Sequence, residues 1–134
     1  MDFIHWYPGH IAKAEKKLKE QINIVDVIIE VLDARIPESS SYPDIEKLLK
    51  DKPRLILLNK SDMANPEQTK IWTKKIKEMT NCPVIATSAN DNKDLSKISN
   101  QVVQLGQPRI IALVKKGLLP RAVRVMVVGM PNVG

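Results

Sequence analysis

Apolar residues fall along this chain in two rhythms. Short runs rich in β-branched residues occupy Val25–Leu32, Leu55–Leu58, Val84–Thr87 and Val123–Val128. Such runs predict strands, and those of nearly continuous apolar character predict strands covered on both faces. Between them, apolar residues return every three or four positions. Ile11, Ala14, Leu18 and Ile22 share one helical face, Ile71, Trp72, Ile76 and Met79 a second, and Leu95, Ile98, Val102 and Leu105 a third. Asn65-Pro66-Glu67-Gln68 predicts a helix start, with Asn65 as the cap, Pro66 at the first position and Gln68 three residues on. A short helix is expected from about Pro43 to Lys50. Gly106-Gln107-Pro108 is expected to break the third long helix, leaving Ile110–Lys116 as a separate piece closed by Gly117. Strands alternating with helices predict an α/β fold: a parallel sheet with flanking helices.

Composition narrows this picture without changing it. With 134 residues, 43% of them hydrophobic and 27% charged, the chain can build one domain with a real core. The net charge of +6 suits a polyanionic partner such as RNA, and equally a well-solvated basic surface. Lys13, Lys16, Lys17 and Lys19 surround the first helix, and Lys70, Lys74, Lys75 and Lys77 the second. Faces of this kind are more often solvated than bound. One cysteine, Cys82, excludes an intramolecular disulfide and a cysteine-cluster zinc site, and its place before Pro83 predicts a small buried residue. No stretch has the length of a membrane span, and the start of the chain lacks a signal-peptide core, so no membrane partner and a cytoplasmic location are expected.

The candidate chemistry sits just after the strands. In open parallel sheets, ligands bind beyond the carboxyl ends of the strands. The Leu55–Leu58 strand runs into Asn59-Lys60-Ser61-Asp62. A carboxylate at Asp62 can accept from both guanine N1–H and the 2-amino group, a donor pair that adenine lacks, so an ATP-using protein is disfavoured. The Lys60 stem can lie over the base, and Asn59 can donate and accept at once. A third strand ends in Ser88-Ala89-Asn90, where a backbone N–H could donate to guanine O6. The fourth leads into Gly129-Met130-Pro131-Asn132-Val133-Gly134, which fits the first six positions of GxxxxGK[ST], a loop whose inward N–H groups cradle phosphates. The lysine and the Ser/Thr of that motif are not among the 134 residues. Each loop alone is an ordinary turn; three at successive strand ends predict a guanine-nucleotide site.

The three loops resemble the G4, G5 and G1 motifs of GTPases, in that order, which is the order of circularly permuted GTPases. Asp33-Ala34-Arg35-Ile36-Pro37 is similar to the DARxP signature of that group. Trp6-Tyr7-Pro8-Gly9-His10-Ile11-Ala12-Lys13-Ala14 resembles the N-terminal signature of the YlqF/RbgA family of ribosome-assembly GTPases. The resemblance implies a circularly permuted P-loop GTPase domain, incomplete here because G2, G3 and the family's C-terminal helical RNA-binding region are not in these residues. It divides the chain into an N-terminal arm and helix, residues 1–24, and a partial G domain, residues 25–134. It implies GTP hydrolysis by the longer parent protein, with this part alone inactive, in assembly of the large ribosomal subunit, with its precursor and rRNA as partners and GTP/GDP and Mg²⁺ as ligands. An rRNA-binding module with a vestigial nucleotide site is the alternative. Two further roles stay open. Asn132 can ligate K⁺ near the phosphates or merely bond its own turn. His10 can position the attacking water, where many GTPases use a glutamine, or simply pack before the first helix.

Overall fold

A computed structural model describes residues 3–4, 11–35, 49, 52–88 and 92–129. The expected helix at Pro43–Lys50 lies outside them except for Leu49, which is helical and buried. In chain order the elements are β1 (Phe3–Ile4), α1 (Ile11–Ile22), β2 (Val27–Asp33), β3 (Arg54–Asn59), a 3-10 turn (Ser61–Met63), α2 (Pro66–Thr80), β4 (Val84–Ala86), α3 (Asn92–Lys115) and β5 (Val125–Gly129). All five strands are parallel, in the order β1-β5-β2-β3-β4. The four expected strands are present. Phe3–Ile4, expected to be an arm, adds a fifth at the edge, where it pairs with Val127 and Val128.

Period-two alternation sorts the sheet's side chains onto two faces. On one face Leu32, Ile56, Leu58 and Val84 pack with Ile76 of α2, and Trp72 and Cys82 close the cluster. On the other, Ile29, Val31 and Leu55 pack with Val102 of α3, joined by Ile98, Leu105, Val123 and Val125. The sheet is therefore covered on both faces, as its near-continuous apolar strands require. β2 is buried along its whole length, including Glu30, whose carboxylate lies 3.8 Å from the equally buried Arg54 of β3.

The helices depart from the expected pattern in three places. Ile71 and Met79 of α2 are exposed, and Thr69 is buried in their stead. The hydroxyls of Thr69, Thr73 and Thr80 each donate to the carbonyl four residues back, so a threonine can be buried without an unpaired polar atom. Leu95 of α3 likewise points outward, at 62% exposure. Finally, Gly106-Gln107-Pro108 does not break α3, which runs unbroken from Asn92 to Lys115. Gln104, whose carbonyl loses its donor at Pro108, is exposed and can be hydrated. Ile110 meanwhile is buried like Val102 and Gly106, so a buried face runs through the proline and keeps the two halves in one helix.

Candidate functional site

Parallel strands bring all their carboxyl ends to one edge, and there the loops after β2, β3 and β4 are bonded to one another. Asp33, the last residue of β2, sits opposite Asn59, the last of β3. The N–H of Ala34 donates to the Asn59 carbonyl at 2.7 Å. Beyond Asn59 the chain must turn away from the sheet at once. It does so at Lys60, which takes a left-handed backbone conformation (φ 62°, ψ 31°) and opens the 3-10 turn Ser61–Met63. A side chain costs about 1–2 kcal/mol there relative to glycine, so the loop must be held by its neighbours.

Thr87 does much of that holding. Its N–H donates to the Leu58 carbonyl at 2.8 Å, and its own carbonyl accepts from the Ser61 N–H at 3.0 Å. Its hydroxyl donates to Asn59 Oδ1 at 3.4 Å. Both Asn59 and Thr87 are buried. From the other side, Asp33 Oδ2 lies 3.7 Å from Lys60 Nζ. Arg35 grips the same carboxylate with its backbone N–H, Nε and Nη2 at 2.9, 3.0 and 2.7 Å. Those Arg35 bonds, aided by the Lys60 charge, hold the Asp33 carboxyl below the usual carboxylate range although burial opposes them. Asp33 is therefore an anion bonded to Arg35 and within ion-pair distance of Lys60 at the strand ends. The loop after β4 has its own clamp: Asp94, in the first turn of α3, accepts from the Ser88 N–H at 3.1 Å.

Of the residues singled out by sequence, Asn59, Lys60 and Ser61 come together here, and Asp62 lies in the middle of the 3-10 turn. Ser88 stands beside them through Thr87. Gly129 ends β5, is buried and pairs with Val31 of β2. Ala89, Asn90, Met130, Pro131, Asn132, Val133, Gly134 and His10 lie outside the described residues. Thr87 and Asp94 carry no site motif in the sequence, and Asp33 enters there only as the first residue of Asp33-Ala34-Arg35-Ile36-Pro37. Asp33 and Asp94 had a visible signal, a carboxylate at a strand end or in a helix's first turn, but their partners are set by the sheet. Among the described residues, no group of three or more His, Cys, Asp and Glu is placed to hold a metal ion.

Comparison with known proteins agrees with this geometry. The family model described as "Ferrous iron transport protein B" matches residues 11–113. A relative from Bacillus licheniformis named "Ribosome biogenesis GTPase A" is 41% identical over 131 residues, covering 98% of this chain and 46% of the relative. One of the same name from Bacillus cereus is 40% identical, covering 98% of this chain and 44% of the relative. Among solved structures, GNP-bound YlqF from T. maritima superposes with a TM-score of 0.59 at 32% identity, over 91% of this chain and 44% of that one. The chain thus spans less than half the length of the relatives it matches. The chain belongs to the family that this model describes, and its sequence and its parallel sheet match the circularly permuted YlqF/RbgA GTPases.

Proposed function

We propose that these residues are the base-reading and phosphate-binding part of a GTPase that acts in assembly of the large ribosomal subunit. The observation that carries the reading is the bonding of Asn59 and Ser61 to Thr87, with Lys60 beside Asp33, at the sheet edge where β5 ends at Gly129. Loops fixed to one another before ligand arrives bind with little ordering cost. The names of the relatives, and the guanine-nucleotide analogue in the T. maritima structure, support the same reading.

In this reading Asp62 accepts from the guanine edge, Asn59 and Lys60 support the base, and the Ser88–Asn90 loop supplies a donor to O6. Backbone N–H groups of Gly129–Gly134 cradle the phosphates. Mg²⁺ neutralises phosphate charge when bound, and K⁺ belongs beside Asn132. His10 positions the attacking water. The parent works on the precursor of the large subunit and its rRNA in the cytoplasm, with residues 1–24 as an arm and helix leading into the nucleotide-binding part, residues 25–134. The lysines of α1 and α2 that are described, Lys16, Lys17, Lys19, Lys70, Lys74, Lys75 and Lys77, are all exposed, which also favours an rRNA-binding role. Turnover separates the two readings, because a vestigial site hydrolyses nothing.

Asp62→Asn in the intact protein tests base choice. GDP affinity should fall about a hundredfold while xanthosine diphosphate gains, because the new amide can donate to the carbonyl that xanthine carries at position 2. Unchanged GDP affinity with no gain for xanthosine diphosphate would remove Asp62 from the base site. Residues 1–134 expressed alone, without a P-loop lysine, should give no GTP turnover above blank, and His10→Ala in the intact protein should abolish turnover while sparing GDP affinity. Stimulation of the intact protein by K⁺ over Na⁺, erased by Asn132→Ala, is the test of the potassium site.

A further inference from the structure

The opposite pole of the sheet, where the strands begin, holds a second cluster of charge that the nucleotide site does not use. Asp26, one residue before β2, is fully buried. It accepts from Arg121 Nη1 and Nη2 at 2.7 and 3.1 Å and from the Arg124 N–H at 2.7 Å, so one guanidinium already neutralises it. Two more cations stand beside it. Arg109 of α3 places Nε 2.9 Å from Asp26 Oδ1, close enough for an ion pair but misaligned as a hydrogen bond. Lys52, just before β3, donates to the Val25 carbonyl at 2.8 Å. Neither has another protein partner among the described residues, which leaves the Arg109 Nη groups and two Lys52 protons free to donate.

These groups open on a cavity of about 510 Å³, a size typical of small-molecule sites, whose wall is otherwise mainly apolar: Ile22, Pro53, Leu105 and Pro108. The cations are crowded there. Burial, and after it the charge of Arg109, pull the Lys52 ammonium below its ordinary range, with Asp26 opposing. An anion seated between Lys52 and Arg109 would relieve that repulsion and accept the unused protons. A dianion matches the two excess positive charges, and the apolar wall asks for a hydrophobic body attached to it.

We infer that this amino-end cavity binds a small organic phosphate, with its phosphomonoester between Lys52 and Arg109 and its apolar or planar body against Leu105 and Pro53. The site is separate from the nucleotide loops and does not depend on the function assigned to them. The intact protein, with its nucleotide site saturated by GDP, is titrated with phenyl phosphate, inorganic phosphate and phenol by calorimetry and by NMR of the Lys Nζ and Arg Nε signals. Phenyl phosphate should bind and shift the Lys52 and Arg109 signals. Inorganic phosphate should bind about tenfold more weakly, and phenol should produce no change. Lys52→Met and Arg109→Met should each weaken phenyl phosphate about tenfold, Lys52→Arg should retain most of it, and GDP affinity in all three should match wild type, which shows that they fold. The inference falls if phenyl phosphate gives neither heat nor shifts, or if the charge-removing variants bind it as well as wild type does.

Discussion

Val123 occupies the space that a side chain at residue 106 would need. A Cβ built on Gly106 would lie 2.5 and 2.8 Å from the two Val123 methyl carbons, and valine is too stiff to swing them aside. Helix propensity favours alanine there by about 1 kcal/mol, but overpacking costs about 1–3 kcal/mol. Gly106→Ala should therefore destabilise the protein by about 1 kcal/mol in urea unfolding. Adding Val123→Ala should cost less than the sum of the two changes, because it removes the clash. Asp26 makes a different residue-level prediction. Burial alone would raise its pKa, but the Arg121 bonds, the Arg124 N–H and the charges of Arg121 and Arg109 bring it below the ordinary value. A carboxylate depressed in the folded state adds stability above its unfolded pKa of about 3.9, and that stability drains away as the pH falls through the folded value. Melting temperature should accordingly drop more steeply below about pH 4 in wild type than in Asp26→Asn.

At the scale of elements, α2 has the most completely specified start. Asn65 Oδ1 accepts from the N–H groups of Glu67 and Gln68 at 2.9 and 3.4 Å, and Pro66 fills the first turn where no N–H is needed. Asn65→Ala should cost about 1 kcal/mol in chemical unfolding, whereas Asn65→Asp should be nearly neutral. The other end of α2 is stopped by Asn81 in a left-handed conformation (φ 56°), with its N–H returned to the Lys77 carbonyl. α3 ties the two poles of the sheet together. Its first turn holds Ser88 through Asp94, and Arg109, fifteen residues on, reaches Asp26. An antiparallel return over the sheet makes this unavoidable, because a helix that starts at the carboxyl edge must end near the amino edge.

For the molecule as a whole, the proposed nucleotide site and the inferred phosphate site fall at opposite poles. The nucleotide reading places ligand at the carboxyl edge, so GDP should slow amide exchange at Ser61, Thr87 and Ala34 and leave Asp26, Val27 and Arg124 at their ligand-free rates. The N–H groups of Ser61, Thr87, Ala34, Asp26 and Val27 lie in backbone bonds, and that of Arg124 in a bond to the Asp26 carboxylate, whose opening the exchange experiment reads directly. Uniform protection of both poles would mean that binding tightens the entire sheet and would take away the division.

The sequence alone determined whatever acts within a few residues. β-branched runs separated by helical periods were enough for four parallel strands, and Asn65-Pro66 for a helix start, because pleat, helical repeat and caps are local. The loop motifs, read together with their family resemblance, placed Asn59 at the end of one strand and Gly129 at the end of another. Only the tertiary structure decided which distant groups meet. Thr87 holds Asn59 across 28 positions, and Asp26 finds Arg121 across 95. Neither separation carries a local signal, since both depend on which strands become neighbours. The same holds for what lies outward or inward on the helices. Ile71 and Met79 fit an apolar period yet face solvent, and Thr69 is buried, because α2 can lay only one stripe on β3 and β4. Pro108 stays inside α3 because Val102 and Ile110 are buried on either side of it, a tertiary gain that outweighs one lost backbone bond.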